Sequence, residues 1–330
     1  MSDWSGRAVL VTGAGGFIGS HVVEMLVAEG ARVRATARYN GRNDWGRLED
    51  LAPDLLSEVE VVLTDVTDPF AVRRLVHGCD VVLHLAALIG IPYSYVAPQS
   101  YVQTNVIGTL NVLEAAREEG VERVVHTSTS ETYGSALYTP IDERHPLQGQ
   151  SPYSASKIAA DKMAESYHRS FELPVATLRP FNTFGPRQSL RAVIPTVLAQ
   201  ALTGDTVRLG SLTPVRDLTF VEDTARAFLA VATAHGVEGK VLNAGNGRGV
   251  SIGELARMAL EAVGSSAAIE SDDERVRPPA SEVEELVCDA TALRELTGWE
   301  PQVGLRDGLQ RTADWLRGNL AATKPGVYNI

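Results

Sequence analysis

Short apolar runs alternate with amphipathic helical patterns over the first half of the chain, residues 1 to about 175. The first apolar run spans 8–11, and a helical pattern follows it from about Gly16 to Glu29. Strands separated by helices of this length predict βαβ units with a parallel sheet, and continuous apolar strands predict a sheet covered on both faces. The further predicted strands are 31–37, 59–63, 80–85, 123–128 and 174–178.

The pattern loosens after about Arg179, where prolines punctuate loops between helical patterns. We expect a smaller mixed α/β lobe here, laid over the ligand edge of the sheet. Because no internal repeat or low-complexity linker separates the halves, we expect the two lobes to interleave. The helices predicted in this half are about 192–203, 222–235, 251–264 and 304–319.

Composition narrows the function classes. A net charge of −11 over 330 residues argues against general binding to nucleic acid or an anionic membrane. Only Cys79 and Cys288 carry thiols, and neither lies in a Cys/His cluster, so neither a disulfide framework nor a metal site is predicted. The amino terminus carries no signal-peptide pattern, and no apolar run is long enough to span a membrane, so we expect a cytoplasmic protein.

A glycine-rich loop follows the first predicted strand directly and opens the first helix. Gly13, Gly16 and Gly19, with Phe17 and Ile18 between the last two, permit a tight turn and close approach of backbone to a pyrophosphate. The following helix turns its unpaired N–H groups toward the phosphates. We therefore predict a Rossmann-type doubly wound parallel sheet, with a dinucleotide-binding domain over 1–178 and a mainly substrate-binding lobe over 179–330.

Other strand ends are placed to complete a cofactor site. A carboxylate that selects NAD is missing at the end of the second strand, where Arg38 stands instead; it either pairs with a 2′-phosphate or is solvated, so NAD and NADP stay open. The residues predicted to meet the adenine ring and the nicotinamide ribose are Asp65, Val66, Leu85, Ala86 and Ala87.

Tyr153 and Lys157 carry the candidate chemistry. Residues four apart share a helix face, and a nearby ammonium favours the phenolate, so this tyrosine is a candidate base near neutral pH. Taken alone, the pair also fits a solvated face of an amphipathic helix.

Together with the glycine loop and Thr129, these residues resemble the extended short-chain dehydrogenase/reductase family, specifically its sugar-nucleotide epimerases, dehydratases and decarboxylases. The resemblance covers nearly the whole chain. The other segments that carry it are 105–109, 179–187, 216–223, 277–278 and 298–301.

The resemblance implies a shared first step, in which Tyr153 removes the proton of the sugar 4-hydroxyl as hydride leaves C4 for the nicotinamide. Lys157 would lower the pKa of Tyr153 and hold the nicotinamide ribose, and Thr129 would hydrogen-bond the same hydroxyl. Asn105 is implied at the cofactor. The implied substrate contacts are Ser94, Asn182, Arg191, Arg216 and Arg277, of which Asn182, Arg216 and Arg277 would hold the diphosphate; Arg191, like Arg187, is equally compatible with a solvated surface charge.

The residues after Thr129 discriminate between reactions. Glu131 could remove the acidified C5 proton of a 4-keto sugar and support loss of the C6 hydroxyl, as in 4,6-dehydratases. Those enzymes commonly carry Asp-Glu here, whereas this chain has Ser130 and Glu131. A Ser-Glu pair is also typical of UDP-glucuronate decarboxylases, and simple 4-epimerases usually lack the glutamate. Glu131 could also be only a supporting hydrogen-bonding acid.

Longer segments favour the dehydratase. Residues 87–95, 145–152 and 328–330 resemble the 4,6-dehydratases of legionaminic-acid-type pathways, which are taken to act on an N-acetylglucosamine nucleotide carried by GDP or UDP. A non-catalytic dinucleotide sensor is disfavoured because Thr129, Tyr153 and Lys157 are all present. By family analogy we expect a homodimer through the helix of Tyr153 and the one over 102–119, although apolar faces on these helices also fit burial within one chain.

Overall fold

A seven-stranded parallel sheet forms the centre of the protein; the computed structural model describes residues 4–272, 275 and 282–320. The strands of this sheet are β1 (Ala8–Thr12), β2 (Arg32–Arg38), β3 (Glu60–Thr64), β4 (Val81–His84), β5 (Arg123–Thr127), β6 (Val175–Pro180) and β10 (Val241–Ala244). They lie in the order β3-β2-β1-β4-β5-β6-β10, with every neighbouring pair parallel. The order reverses direction between β1 and β4, and this switch opens a crevice at the carboxyl ends of the strands.

Helices cover both faces of the sheet, and β1 shows why. Val9 and Val11 point into one core, which they share with the helices over 17–28 and 221–233. Leu10 points into the other core, with the helices over 69–76 and 108–119. The helices of the first half are α1 (Phe17–Ala28), α2 (Pro53–Ser57), α3 (Pro69–Val76), α4 (Ile91–Val96), α5 (Pro98–Tyr101), α6 (Gly108–Glu119) and α7 (Pro152–Phe171), with 3-10 turns over Gly46–Asp50 and Ser130–Thr132 and a π-helical segment over Val102–Ile107. The predicted α/β fold, its six strands and its first helix are confirmed.

The second half adds a smaller mixed lobe. Its helices are α8 (Val193–Thr203), α9 (Val221–Thr233), α10 (Ile252–Val263), α11 (Thr291–Thr297) and α12 (Leu305–Asn319). Its short strands are β7 (Asn182–Phe184), β8 (Thr206–Leu209), β9 (Val215–Phe220), β11 (Gly249–Ser251), β12 (Ala268–Ser271) and β13 (Glu285–Leu286). β7, β11 and β13 pair with β9, and β8 pairs with β12. The four predicted helices are confirmed; the strands of this half were not predicted.

The second half also completes the central sheet. Leu242 of β10 pairs with Leu178 of β6, and α9 packs against α1 on one sheet face. The predicted boundary at 178/179 falls inside β6, so the assignment of one ligand to each half stays a proposal.

Candidate active site

The glycine-rich loop lies at the crevice between β1 and β4. Gly13 has φ +69°, and a Cβ at this position would come within 2.7 Å of the backbone nitrogen of Ala86. A Cβ on Gly19 would come within 2.4 Å of the Gly13 carbonyl oxygen. Thr12 ties the two strand ends together, because its Oγ1 accepts from the Ala86 N–H and its carbonyl accepts from the Leu85 N–H. Both glycines are therefore required for the backbone to pass this closely.

The start of α1 fits the phosphates of a dinucleotide. Gly16 precedes the helix, no side chain caps its first N–H groups, and the first turn contains no acidic residue. Free N–H groups at the positive end of a helix dipole favour an anion. Phe17 and Ile18 are half-buried beneath this end, and Ala87 lies half-buried across the crevice. The residues present thus fit a nicotinamide dinucleotide, and they contain the groups predicted to hold it.

The predicted adenine side is more open. Arg38 ends β2 as an exposed side chain. Asp65 is exposed and accepts hydrogen bonds from the backbone N–H and the hydroxyl of Thr67, so its carboxylate shapes a turn. Val66 is buried against Gly108 at the start of α6. Of Arg38, Asp65 and Val66, Arg38 is therefore the residue whose charge is exposed and not used to shape a turn.

Helix α7 carries the candidate catalytic pair. Ser151 caps its start, with its Oγ accepting from the Ser154 N–H at 3.1 Å while Ser154 Oγ accepts from the Ser151 N–H at 3.0 Å, and Pro152 occupies the first turn. The cap fixes where the helix begins, and hence which face carries Tyr153 and Lys157. Both side chains are buried, with exposures of 7% and 3%. The alternative of a solvated surface pair is therefore wrong.

Two of the predicted catalytic residues, Thr129 and Glu131, act on the hydroxyl of Tyr153. Its hydroxyl is hydrogen bonded to Thr129 and lies within the electrostatic reach of Glu131. Burial raises the pKa of Tyr153 above its ordinary value, the bond with Thr129 lowers it, and the Glu131 charge raises it again. With the protein's own groups alone, Tyr153 is thus not poised near neutral pH as the spacing had suggested, because burial outweighs the favourable contacts.

Lys157 is held at the end of β5. Its Nζ donates to the Thr127 carbonyl oxygen at 2.6 Å. Burial lowers the pKa of Lys157 to about 8, and the Asp161 carboxylate acts in the opposite direction. The ammonium is therefore the main form at neutral pH but loses its proton in mild alkali.

Thr129, Ser130 and Glu131 form the turn that follows β5. The Thr129 Oγ1 accepts from the Glu131 N–H at 3.3 Å and so caps the 3-10 turn Ser130–Thr132. This turn leaves Glu131 half-buried on the side of Tyr153, whereas Ser130 is buried with 3% exposure. The Glu131 charge thus acts on the Tyr153 hydroxyl, and a carboxylate and a tyrosine hydroxyl are the two kinds of group that two proton transfers on one sugar ring require.

Two predicted contacts prove to be internal. Asn105 is fully buried: its Oδ1 accepts from the Leu88 N–H, and its Nδ2 donates to the Leu88 carbonyl and to Ser156 Oγ. It holds the loop after β4 against α7 instead of facing a ligand. Ser94 is also fully buried, and its Oγ donates to the Ile91 carbonyl at 2.6 Å within α4. Direct contacts from these side chains to cofactor and substrate are therefore corrected to supporting roles.

The predicted diphosphate residues are placed unequally. The Asn182 Oδ1 at the start of β7 is buried without a hydrogen-bond partner. Arg216 on β9 is buried and paired with Glu282 at 3.2 Å. Arg191 is exposed, and its charge lowers the pKa of Tyr101 in opposition to burial, which raises it. Arg277 lies outside the described residues, as does the carboxyl-terminal segment 328–330. Arg187, the other arginine compatible with a surface position, is buried and paired with Glu24 at 2.8 Å.

Sequence reasoning missed an aromatic wall beside Tyr153. The ring of Tyr101 packs edge-on against Tyr153 at 6.2 Å, and Tyr93 packs against Tyr101 at 6.3 Å. Tyr93 is 41% exposed, so the three rings lead from solvent to the candidate base. Tyrosine side chains offer apolar faces and hydroxyls, a suitable surface for a sugar ring. The run of aromatic residues in 93–101 was the available signal.

The described residues contain neither a metal-binding cluster nor a membrane-spanning helix. They contain no group of three or more His, Cys, Asp or Glu side chains placed to hold a metal ion. Within the same residues, every helix is too short or too polar to cross a membrane.

Known proteins resemble this chain over almost its whole length. The sequence model of the GDP-mannose 4,6 dehydratase family matches residues 10–312. A dTDP-glucose 4,6-dehydratase of Streptomyces griseus is 36% identical, covering 93% of each chain. A UDP-glucose 4-epimerase of Mycolicibacterium smegmatis is 34% identical over 93% of this chain and 98% of its own length.

The folds agree as well. The crystal structure of DesIV, a dTDP-glucose 4,6-dehydratase of Streptomyces venezuelae with NAD bound, has a TM-score of 0.84 at 32% identity, covering 97% of this chain and 99% of its own. The chain therefore belongs to the GDP-mannose 4,6 dehydratase family, among the extended short-chain dehydrogenase/reductases that act as sugar-nucleotide epimerases and dehydratases.

Proposed function

We propose that this enzyme is an NAD(P)-dependent sugar-nucleotide 4,6-dehydratase acting on an N-acetylglucosamine nucleotide. The observation that carries the reaction type is the half-buried carboxylate of Glu131, whose charge acts on the hydroxyl of Tyr153. A 4-epimerase has no need of a second acid–base group here, since rotation of the ketone suffices. The choice of sugar rests on the resemblance of segments 87–95 and 145–152.

The protein's groups divide the proton transfers. Tyr153 takes the proton of the sugar 4-hydroxyl, and Thr129, which is hydrogen bonded to the Tyr153 hydroxyl, would bond the same sugar hydroxyl. The resulting C4 ketone makes the C5 proton acidic, and Glu131 removes it. The C6 hydroxyl leaves as water with the proton that Glu131 took from C5, and Glu131 then takes a proton from solvent and returns it to C5, while Tyr153 releases its proton to solvent. A nicotinamide dinucleotide held by the glycine loop and α1 would supply the acceptor for the C4 hydride and its return to C6, so the net change is loss of one water.

The glycine loop and α1 would hold the pyrophosphate, and Lys157 the nicotinamide ribose. Asn182 would accept a hydrogen bond from the nucleotide sugar through Oδ1, since this buried oxygen otherwise lacks a partner. NAD and NADP are both compatible with Arg38. A homodimer through α6 and α7 and a cytoplasmic location stay predictions.

Mass spectrometry after incubation with NAD or NADP and a panel of sugar nucleotides in heavy water tests the reaction type. A dehydratase yields loss of one water with one deuterium gained at C5. Unchanged mass without deuterium identifies an epimerase and refutes the proposal, and so does loss of carbon dioxide from a glucuronate nucleotide. Tyr153→Phe is the matched control, because it should abolish every one of these products.

A second candidate is a reaction on a uronate nucleotide, namely decarboxylation or 4-epimerisation. It is favoured by Arg191, an exposed guanidinium whose charge reaches Tyr101 beside Tyr153 and which is therefore placed to meet a sugar carboxylate. Turnover of the glucuronate nucleotide alone in the same panel would favour this candidate. Arg191→Met would then raise KM for that substrate.

A further inference from the structure

A third ionisable residue continues the stripe of Tyr153 and Lys157 on α7. Asp161 follows Lys157 by four residues, so the three side chains stack along one helix face. Asp161 is 4% exposed, although it is ionised. A carboxylate is rarely buried this deeply unless it is paired and hydrogen bonded.

Four groups on neighbouring strands satisfy the Asp161 carboxylate. One oxygen is bonded to His126 Nε2 at 3.1 Å, and the other accepts from Ser128 Oγ at 2.7 Å and from Arg179 Nη2 at 2.8 Å. Arg179 Nε adds a contact at 3.2 Å. Burial alone would raise the pKa of Asp161, but the His126 bond and the Arg179 charge lower it to about 2. Its negative charge is therefore fixed at every pH at which an enzyme works.

The network is anchored on the far side of the sheet. Arg179 Nη1 donates to the Tyr133 hydroxyl at 2.9 Å, and that hydroxyl donates to Asn243 Oδ1 at 2.7 Å. Asn243 belongs to β10, so strands from both halves of the chain hold the carboxylate in place. This rigidity lets one charge act on Lys157 from a constant position.

Among the described residues, the Asp161 carboxylate is the charge that raises the pKa of Lys157. His84 on β4 and His126 on β5 lie close to Lys157, and burial lowers the pKa of both, so both are neutral. Arg179 on β6 is a second buried cation. Among the described residues, the other titratable groups on elements packed against this part of α7 are Tyr93 on α4, Tyr101 on α5 and Glu131 on the turn after β5.

We propose that Asp161 is a positioning residue of this enzyme: from one helical turn beyond Lys157, its carboxylate keeps the buried ammonium charged and in place beside Tyr153. The ammonium in turn stabilises the phenolate that forms when Tyr153 loses its proton. The proposal rests on the proposed function only for the roles of Tyr153 and Lys157. It holds for any reaction that begins with oxidation at C4.

A direct test reads the titration of Lys157 without substrate. Lysine occurs only at positions 157, 162, 240 and 324, so protein labelled with 13C at the lysine ε-carbon gives few signals, and Lys157→Met assigns the relevant one. In Asp161→Asn we expect the titration midpoint of Lys157 to fall, because the Asp161 charge raises the pKa of Lys157. Tyr133→Phe is the matched control, since it removes a hydrogen bond from the same network but no charge.

The pH profile of turnover provides the second readout. In Asp161→Asn the alkaline limb moves to lower pH, because Lys157 loses its proton more easily. The acidic limb does not serve as a test, because the Asp161 charge itself raises the pKa of Tyr153 and its removal therefore opposes the effect of a weaker ammonium. Asp161→Glu retains the charge and should restore much of the width. An unchanged Lys157 midpoint in Asp161→Asn, or a profile that coincides with that of Tyr133→Phe, overturns the proposal.

Removal of Asp161 alone leaves the Arg179 guanidinium buried without its carboxylate and endangers folding. Asp161→Asn combined with Arg179→Gln removes both charges, and the midpoint of Lys157 should still fall, because Asp161 and not Arg179 acts on the pKa of Lys157. A midpoint equal to wild type overturns the proposal in this variant as well. Failure of the proposed dehydratase reaction is detected separately, by the mass of the wild-type product.

Discussion

Glu131→Gln should separate two steps of the proposed reaction, because the carboxylate acts on them in opposite directions. Its negative charge raises the pKa of Tyr153, so the first proton transfer, from the 4-hydroxyl, becomes easier when the charge is removed. The second transfer, from C5, loses its base. Glutamine keeps the size of the side chain and so preserves the packing of the half-buried turn after β5.

The two effects differ greatly in size. Even a full pKa unit on Tyr153 amounts to about 1.4 kcal/mol, so oxidation at C4 is accelerated about tenfold at most. A positioned general base contributes about 10²–10⁴-fold, or about 3 to 5 kcal/mol of barrier. We therefore expect C4 oxidation at or above the wild-type rate, followed by a stall about 10²–10⁴-fold slower than normal elimination.

Rapid mixing of the variant with cofactor and substrate checks both steps at once. The absorbance of the reduced dinucleotide should rise quickly and persist, while mass spectrometry finds little deoxy product. Ser130→Ala is the control, since it changes the neighbouring residue of the same turn without touching its charge. If Glu131→Gln forms deoxy product at the wild-type rate, the glutamate is not the C5 base; if the first step slows in parallel, its charge does not act on Tyr153 as described.

Three further outcomes test other parts of the site. Tyr153→Phe should lower kcat by at least about 10²-fold while leaving the dissociation constant of the dinucleotide within a few-fold of wild type, measured by calorimetry; turnover close to wild type would exclude Tyr153 as the base. Gly13→Ala should weaken dinucleotide binding by at least about tenfold, since its Cβ would meet the Ala86 backbone at 2.7 Å. Gly78→Ala controls for backbone strain alone, because Gly78 also has a positive φ but a Cβ there would have no atom within 4 Å. Equal binding by both variants would contradict the role of the glycine loop in holding the dinucleotide. Burial, and secondarily Arg187, lower the pKa of His21 from 6.5 to about 4, so the folded state binds fewer protons than the unfolded state between these two pH values. The protein should therefore lose about 3 kcal/mol of stability as the pH falls from 6.5 to 4. His21→Gln, which keeps a donor for the Pro186 carbonyl, should flatten this part of the stability curve measured with denaturant, and an unchanged slope would refute the assignment.

The sequence predicted most reliably what depends on local pattern. The strands around β1 and the glycine loop follow from short-range chemistry, and both lie where expected. Asn105 and Ser94 were misplaced because their spacing along the chain does not reveal which way a side chain points. The pKa of Tyr153 was misjudged for a related reason, since the cost of burying its charge depends on the surrounding chain. The spacing of Asp161, four residues beyond Lys157, was visible, but its partners come from two strands, β5 and β6, that only the fold brings together.

The pairing of β10 with β6 has a consequence for the order in which the chain can mature. Leu178 cannot pair with Leu242 until the intervening residues have been synthesised, so the edge of β6 stays unpaired during that time. An unpaired strand edge is a template for wrong partners, and long-range parallel pairing is slow. A fragment that stops after Leu178 keeps this edge permanently open and also lacks Asn243, the far anchor of the buried charge beside Lys157. Assembly of the nascent sheet and completion of the reaction centre are thus coupled to the same late-arriving strand.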